Sequence, residues 1–144
     1  ALLVASARTQ IPELFRVVDC SVPLLDMLRY HRLSIANTWT VEYGSSENPE
    51  QFKYIYKYSP YHNIKKNTNY PAMLITTSEN DARVDPMHAY KMVAKLQEVN
   101  PNGEPVFLLV RKDSGHGGGT TISKKIEQVS EEIAFLMDKL DMNF

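Results

Sequence analysis

Two compact apolar runs constrain this chain more than any other feature. "PAMLITTS", residues 71–78, carries proline at its edge and polar residues after it, the pattern of a buried strand. "EPVFLLVRK", 104–112, is a second such run. Between them lies "DPMHAYKMVAKLQEVN", which reads as a helix. Asp85 caps it, Pro86 takes its first turn, and Met87, Tyr90, Val93, Ala94 and Leu96 to Val99 form an apolar face. Two strands joined by a helix of that length pair in parallel through a right-handed crossover. "TTISKKIEQVSEEIAFLMDKL" follows as a final helix, with Ile122, Ile126, Val129, Ile133, Leu136 and Leu140 at helical spacing.

The first half of the chain extends this pattern. "ALLVASARTQ" reads as a helix with no capping residue before it, so its start signal is expected upstream and the chain is expected to be the tail of a longer protein. A short strand is expected over Val17 to Val22, ended by Pro23. The stretch from Leu24 to Tyr70 is irregular, with short helices expected over "LLDMLRYH" and "PEQFKYIYKYS". Three parallel strands make a narrow sheet, which reads as half of a larger one. Its open edges and apolar flank predict self-association or a requirement for the missing half.

Composition excludes several classes of function. Sixteen basic and 17 acidic residues give a net charge of −1, so no basic face serves nucleic acid or an anionic membrane. No apolar run approaches the roughly 20 residues of a membrane span. The single cysteine, Cys20, permits no internal disulfide and fits a reducing compartment, so a cytoplasmic location is expected. No pair among His31, His62 and His88 has metal-ligand spacing, and no metal or cofactor is expected.

In open parallel sheets, chemistry gathers beyond the carboxyl ends of the strands. The loop after the first apolar run carries Glu79, Asp81, Arg83 and Asp85; the loop after the second, "KDSGHGGGTT", carries Asp113 and His116. A carboxylate and a histidine so placed lie on one edge of the sheet. The carboxylate can accept the Nδ1 proton, fix the tautomer and leave Nε2 free as a general base. The glycines around His116 let the loop turn tightly and keep bulk off the imidazole. Read in isolation, Asp81 is equally a cap or an ion-pair partner of Arg83, His116 an exposed loop residue and Trp39 a core aromatic.

No nucleophile accompanies the pair. No G-x-S-x-G elbow occurs, and no serine sits at a strand-to-helix turn. In α/β-hydrolases the order is Ser, Asp, His, and the elbow precedes a helix; this chain opens within a helix.

Four motifs carry a family resemblance. "LLDMLRYHRLSIANTWTVEYG" resembles D-M-L-x-[FY]-H … W-T-x-[DE]-Y-G, and "KYSPYHNIK" resembles K-Y-S-P-L-H-N-V. "DARVDPMHAYKMVAKLQ" resembles D-D-R-V-V-P-x-H-S-x-K-F-x-A-x-L-Q, and "ALLVA" looks like the leucine-rich helix after a G-G-S-N-G-G elbow. Together with "SGHGGG" they resemble, over essentially the whole chain, the end of the peptidase domain of prolyl oligopeptidases, the prolyl endopeptidase family of serine peptidases.

The resemblance implies an α/β fold, the C-terminal half of an α/β-hydrolase domain, three-layered α/β/α with a mainly parallel sheet. It implies a peptidase acting on short peptides on the carboxyl side of proline, with Asp81 as triad acid and His116 as triad base. Arg83 would donate to a carbonyl of the bound peptide, and Trp39 would stack on the proline ring. Tyr43 and Val84 would wall that pocket, with Leu24 where the family has a smaller apolar residue. Asp85 stands in place of the usual valine. The serine, any β-propeller and the rest of the oxyanion hole would lie outside the chain, which on its own is expected to be inactive. The alternatives are a family member with other specificity and a non-catalytic half-domain that binds a partner.

Overall fold

A computed structural model describes residues 1–112, 114–117 and 121–142. Three parallel strands form the sheet: β1 (Val17–Ser21), β2 (Ala72–Ser78) and β3 (Val106–Arg111), in the order β1-β2-β3. Register runs from Val17 opposite Ala72 to Ser21 opposite Thr76, and from Met73 opposite Val106 to Ser78 opposite Arg111. All seven residues of β2 are buried, as its unbroken apolar run requires of a central strand.

Helices cover both faces. Helix α1 (Leu2–Gln10) and helix α4 (Met87–Val99) pack on one, where Ala5, Val18, Cys20, Met73, Ile75 and Met92 belong to one continuous core. On the other face lies α5 (Ile122–Lys139), whose Phe135 meets Phe107 of β3 edge to face at 5.9 Å. The result is the expected three-layer α/β/α arrangement.

The irregular region resolves into small pieces. Helix α2 (Thr40–Tyr43) is one turn, and α3 (Pro49–Tyr58) has proline in its first turn and Asn48 accepting from the amides of Glu50 and Gln51. The α-helix expected over "LLDMLRYH" does not form. The chain makes a turn there, then 3₁₀ turns at Tyr30–Arg32 and Ala36–Trp39. The cause is tertiary. Leu25 O, which a helix would offer to the Arg29 amide, accepts instead from the Tyr61 amide at 3.0 Å, and the Leu25, Asp26 and Met27 amides are held by the distant His88 Nδ1 and Ser59 Oγ. The Arg29 amide turns to the local Asp26 carboxylate.

The other boundaries differ little. Val22 leaves β1 at φ 42°, and α4 starts at Met87, whose amide bonds the Asp85 carboxylate at 2.9 Å. Helix α5 forms with Thr121 as its cap, yet its apolar stripe faces outward: Ile122 is 82% exposed and Ile126 62%. Among the described residues, nothing pairs with the outer edges of β1 and β3.

Candidate active site

The site forms beyond the carboxyl ends of β2 and β3. The turn after β2 closes with the Asp81 amide donating to Ser78 O at 3.2 Å. The Asp81 side chain folds back over that turn, and its Oδ1 accepts from the amides of Arg83 and Val84 at 2.9 and 2.8 Å. Asp81 is only 5% exposed, so its carboxylate is fixed from inside the loop. Its other oxygen, Oδ2, lies 2.8 Å from Nδ1 of His116.

His116 rides on the loop after β3, at the apex of a tight turn in which the Gly117 amide donates to Gly115 O at 2.8 Å. Gly117 has φ +74°, a backbone that side chains other than glycine rarely adopt, so glycine is required there. Asp113, Gly118 and Gly119, also read from the sequence as parts of this loop, lie outside the described residues. With Nδ1 on Asp81, the imidazole is oriented and Nε2 is left for chemistry. Among the described residues, no serine, threonine or cysteine hydrogen-bonds Nε2.

A cavity of about 810 Å³ opens beside His116. All five residues expected to bind substrate line it: Leu24, Trp39, Tyr43, Arg83 and Val84. They come from three segments of chain and meet because Leu24 and Val84 share a second apolar core with Met27, Tyr30, Ala36 and Ile55, against which Trp39 and Tyr43 pack. Tyr43 also meets Tyr30 edge to face at 5.8 Å. Arg83 is exposed, and its guanidinium lies 5.7 Å from the Trp39 ring centroid, within cation–π range. Burial, with the neighbouring Glu42 carboxylate, holds the Tyr43 phenol above its ordinary pKa, so it remains a neutral wall and donor.

Sequence reasoning missed part of the lining. Val22, Glu42 and Tyr58 also face the cavity. Val22 carried a signal, since it directly precedes Pro23 at the end of a strand; Glu42 and Tyr58 carried none beyond their positions beside Tyr43 and Ser59. Asp85 is absent from the lining and is occupied with the start of α4. Among the described residues, no cluster of His, Cys, Asp or Glu could hold a metal, and no helix is long and apolar enough to cross a membrane. The cavity is an apolar, aromatic-walled recess with an oriented imidazole and a guanidinium at its mouth. It can bind a compact apolar group and move a proton beside it.

Known proteins resemble the chain over nearly its whole length. The chain is 42% identical over 143 residues to the prolyl oligopeptidase dbiP of Dendrothele bispora, and 37% identical over 144 residues to the prolyl endopeptidase of Dictyostelium discoideum. It covers 98% of itself in both alignments but only 19% of either relative, so it spans about a fifth of their length. A solved structure from a mechanistic study of two prolyl endopeptidases superposes with a TM-score of 0.95 at 45% identity, over 99% of this chain and 21% of that one. The model of the prolyl oligopeptidase family matches residues 1–143. Fold, motif order and match length thus converge, and the chain belongs to the prolyl oligopeptidase family, whose peptidase domain is an α/β-hydrolase.

Proposed function

We propose that this chain supplies the acid and base of a serine peptidase that cleaves short peptides on the carboxyl side of proline. One observation carries the proposal: the Asp81–His116 pair, 2.8 Å apart, stands at the mouth of a cavity lined by Trp39, Tyr43, Val84 and Leu24. A proline ring is compact, apolar and without a donor, and such walls suit it. Arg83 donates to a carbonyl of the peptide through its planar fork.

The reaction is acyl transfer. A serine hydroxyl from outside this chain attacks the carbonyl carbon of the proline itself, and His116 Nε2 takes its proton. The peptide C–N bond then breaks as Nε2 returns that proton to the leaving amine. Water repeats the cycle on the acyl-enzyme, releasing the acid and the free serine. Asp81 stays ionised and stabilises the imidazolium.

The greater length of the relatives and the open edge of β1 support a partner that continues the sheet, namely the rest of an α/β-hydrolase domain. The same open edge supports self-association when that partner is absent. The single buried cysteine supports a reducing, cytoplasmic setting. The test is hydrolysis of a blocked Gly-Pro fluorogenic peptide by the intact gene product and by the 144-residue chain alone. The intact protein is expected to cleave it and the chain alone is not, with His116→Ala abolishing the activity. Equal cleavage of a Gly-Ala analogue would remove the proline specificity from the proposal.

A further inference from the structure

His88 sits in the first turn of α4 and is 1% exposed. It reaches back to the chain that follows β1: the amides of Leu25 and Asp26 donate to its Nδ1 at 3.4 and 3.1 Å. A nitrogen that accepts two amides is unprotonated, so the ring proton is on Nε2. That Nε2 is buried and finds no partner among the described residues. The side chain therefore leaves its own donor unsatisfied while serving the main chain of another segment.

The segment it holds is under constraint. Val22, β-branched, stands at φ 42°, with its amide bound to Thr76 O at 2.8 Å. Met27 donates to Ser59 Oγ at 3.1 Å, and Leu25 O accepts from the Tyr61 amide at 3.0 Å. The Asp26 carboxylate is paired with Arg29 and Lys91. A strained backbone persists only where its surroundings over-determine it. The residue this arrangement presents is Leu24, which is 9% exposed, clusters with Val84 and lines the cavity.

Helix α4 also follows directly on the loop of Asp81, Arg83 and Val84. Resting on the post-proline function proposed above, we infer that His88 is a positioning residue for the proline pocket: it holds the main chain of Leu25 and Asp26 so that Leu24 forms the pocket wall at a fixed distance from Val84. It acts without touching substrate and links the wall to the helix that follows the catalytic acid. No other described side chain accepts from the Leu25 amide.

Two substitutions in the intact gene product separate positioning from mere packing. His88→Asn puts an amide oxygen near the place of Nδ1 and retains an acceptor. His88→Leu fills similar volume with none. The readouts are hydrogen exchange at the Leu25 and Asp26 amides, and KM and kcat on paired peptides with proline or alanine before the cleaved bond. His88→Leu is expected to speed exchange at both amides and to cut kcat/KM for the proline peptide by roughly ten- to a hundredfold, mostly through KM. The alanine peptide is affected less, so the preference for proline falls, and His88→Asn restores most of both effects. Equal losses on the two peptides, no rescue by asparagine, or unchanged exchange in His88→Leu would overturn the inference. An unsubstituted protein that does not discriminate proline sinks the post-proline function instead. The exchange data alone then decide whether His88 anchors this wall.

Discussion

The guanidinium of Arg83 lies over the indole of Trp39, 5.7 Å from ring centroid to Cζ, which brings a cation at the cavity and its largest aromatic into one unit. Trp39 stands at the end of a 3₁₀ turn before α2, and Arg83 on the loop of Asp81. A peptide that stacks its proline on the indole therefore arrives beside the donor fork. Trp39→Ala removes both the stacking face and the support for Arg83. In the intact gene product, as for the kinetic predictions below, it is expected to lower kcat/KM on proline peptides by roughly tenfold or more, the equivalent of about 1.4 kcal/mol.

Arg83→Lys keeps the charge and loses the planar fork and most of the stacking. A rise in KM of about tenfold is expected, in line with the loss of a charge-assisted hydrogen bond. Steady-state kinetics on a proline peptide decide this: an unchanged KM would mean that Arg83 makes no contact with the substrate.

Asp81 has two tasks that substitution can separate. Oδ1 closes its own loop through the amides of Arg83 and Val84, and Oδ2 orients His116. Asp81→Asn keeps an oxygen for the two amides but offers an N–H to Nδ1, which favours the wrong imidazole tautomer. A fall of about 10⁴-fold in kcat with little change in melting temperature is expected. Asp81→Ala leaves two amides without their acceptor and costs about 1–3 kcal/mol for each that stays buried. Thermal melts of the two variants, compared side by side, test the division.

The loop of His116 depends on Gly117 more than on Gly115. Gly117 stands at φ +74°, and among the described residues no atom lies within 4 Å of a would-be Cβ, so the cost of a side chain is conformational rather than steric. Gly117→Ala is expected to cost roughly 1–2 kcal/mol locally and to appear as lost kcat, because the loop relaxes by moving the imidazole. Gly115 has ordinary room, since a Cβ added there would lie 3.7 Å from Asn80 O, and Gly115→Ala is expected to do less. Equal losses in the two variants would mean that the loop is held by something other than the Gly117 backbone.

Much of this is readable in the residues, for identifiable reasons. Strand β2, helix α4, strand β3 and helix α5 announce themselves in the sequence, the strands as short unbroken apolar runs and the helices as apolar residues at helical spacing. Parallel topology brings the loops of Asp81 and His116 to one edge, because it gathers consecutive strand ends there, but it does not choose Asp81 over Glu79 or Asp85; that choice comes from the motif resemblance. The turn after β1 reads as helix and is not one, because its apolar spacing is helical while its Leu25 carbonyl is taken by the Tyr61 amide and its first amides are held by His88 and Ser59, all remote in sequence. The stripe from Ile122 to Leu140 carries the period of α5 but not its burial, since a period says that residues share a face and not what covers it. Val22, Glu42 and Tyr58 reach the cavity through the packing of three segments, which no local pattern encodes.

The histidine that is least conspicuous in the sequence gives the protein a measurable pH dependence. Burial lowers the pKa of His88 from 6.5 to about 4; Asp26 and Asp85 pull it back upward, and Lys91 pushes it down. In the folded protein His88 is therefore neutral through most of the range in which an unfolded chain would protonate it. As pH falls below 6.5 the unfolded state takes up a proton that the folded state refuses, so stability is complete above 6.5 and declines toward pH 4. The loss amounts to roughly 3 kcal/mol at most across that window, at about 1.4 kcal/mol for each tenfold difference in proton affinity between the two states. His62, whose pKa burial also lowers, adds a loss of the same sign. The Asp26 carboxylate is pushed up by burial, but Lys91 and Arg29 hold it below its ordinary range, so its own contribution disappears only at lower pH. Denaturant midpoints taken above pH 6.5 and again near pH 4 should fall for the unsubstituted protein. They should fall less for His88→Asn, which has nothing to protonate at this position. Parallel pH curves for the two proteins would mean that His88 is not held neutral by its burial.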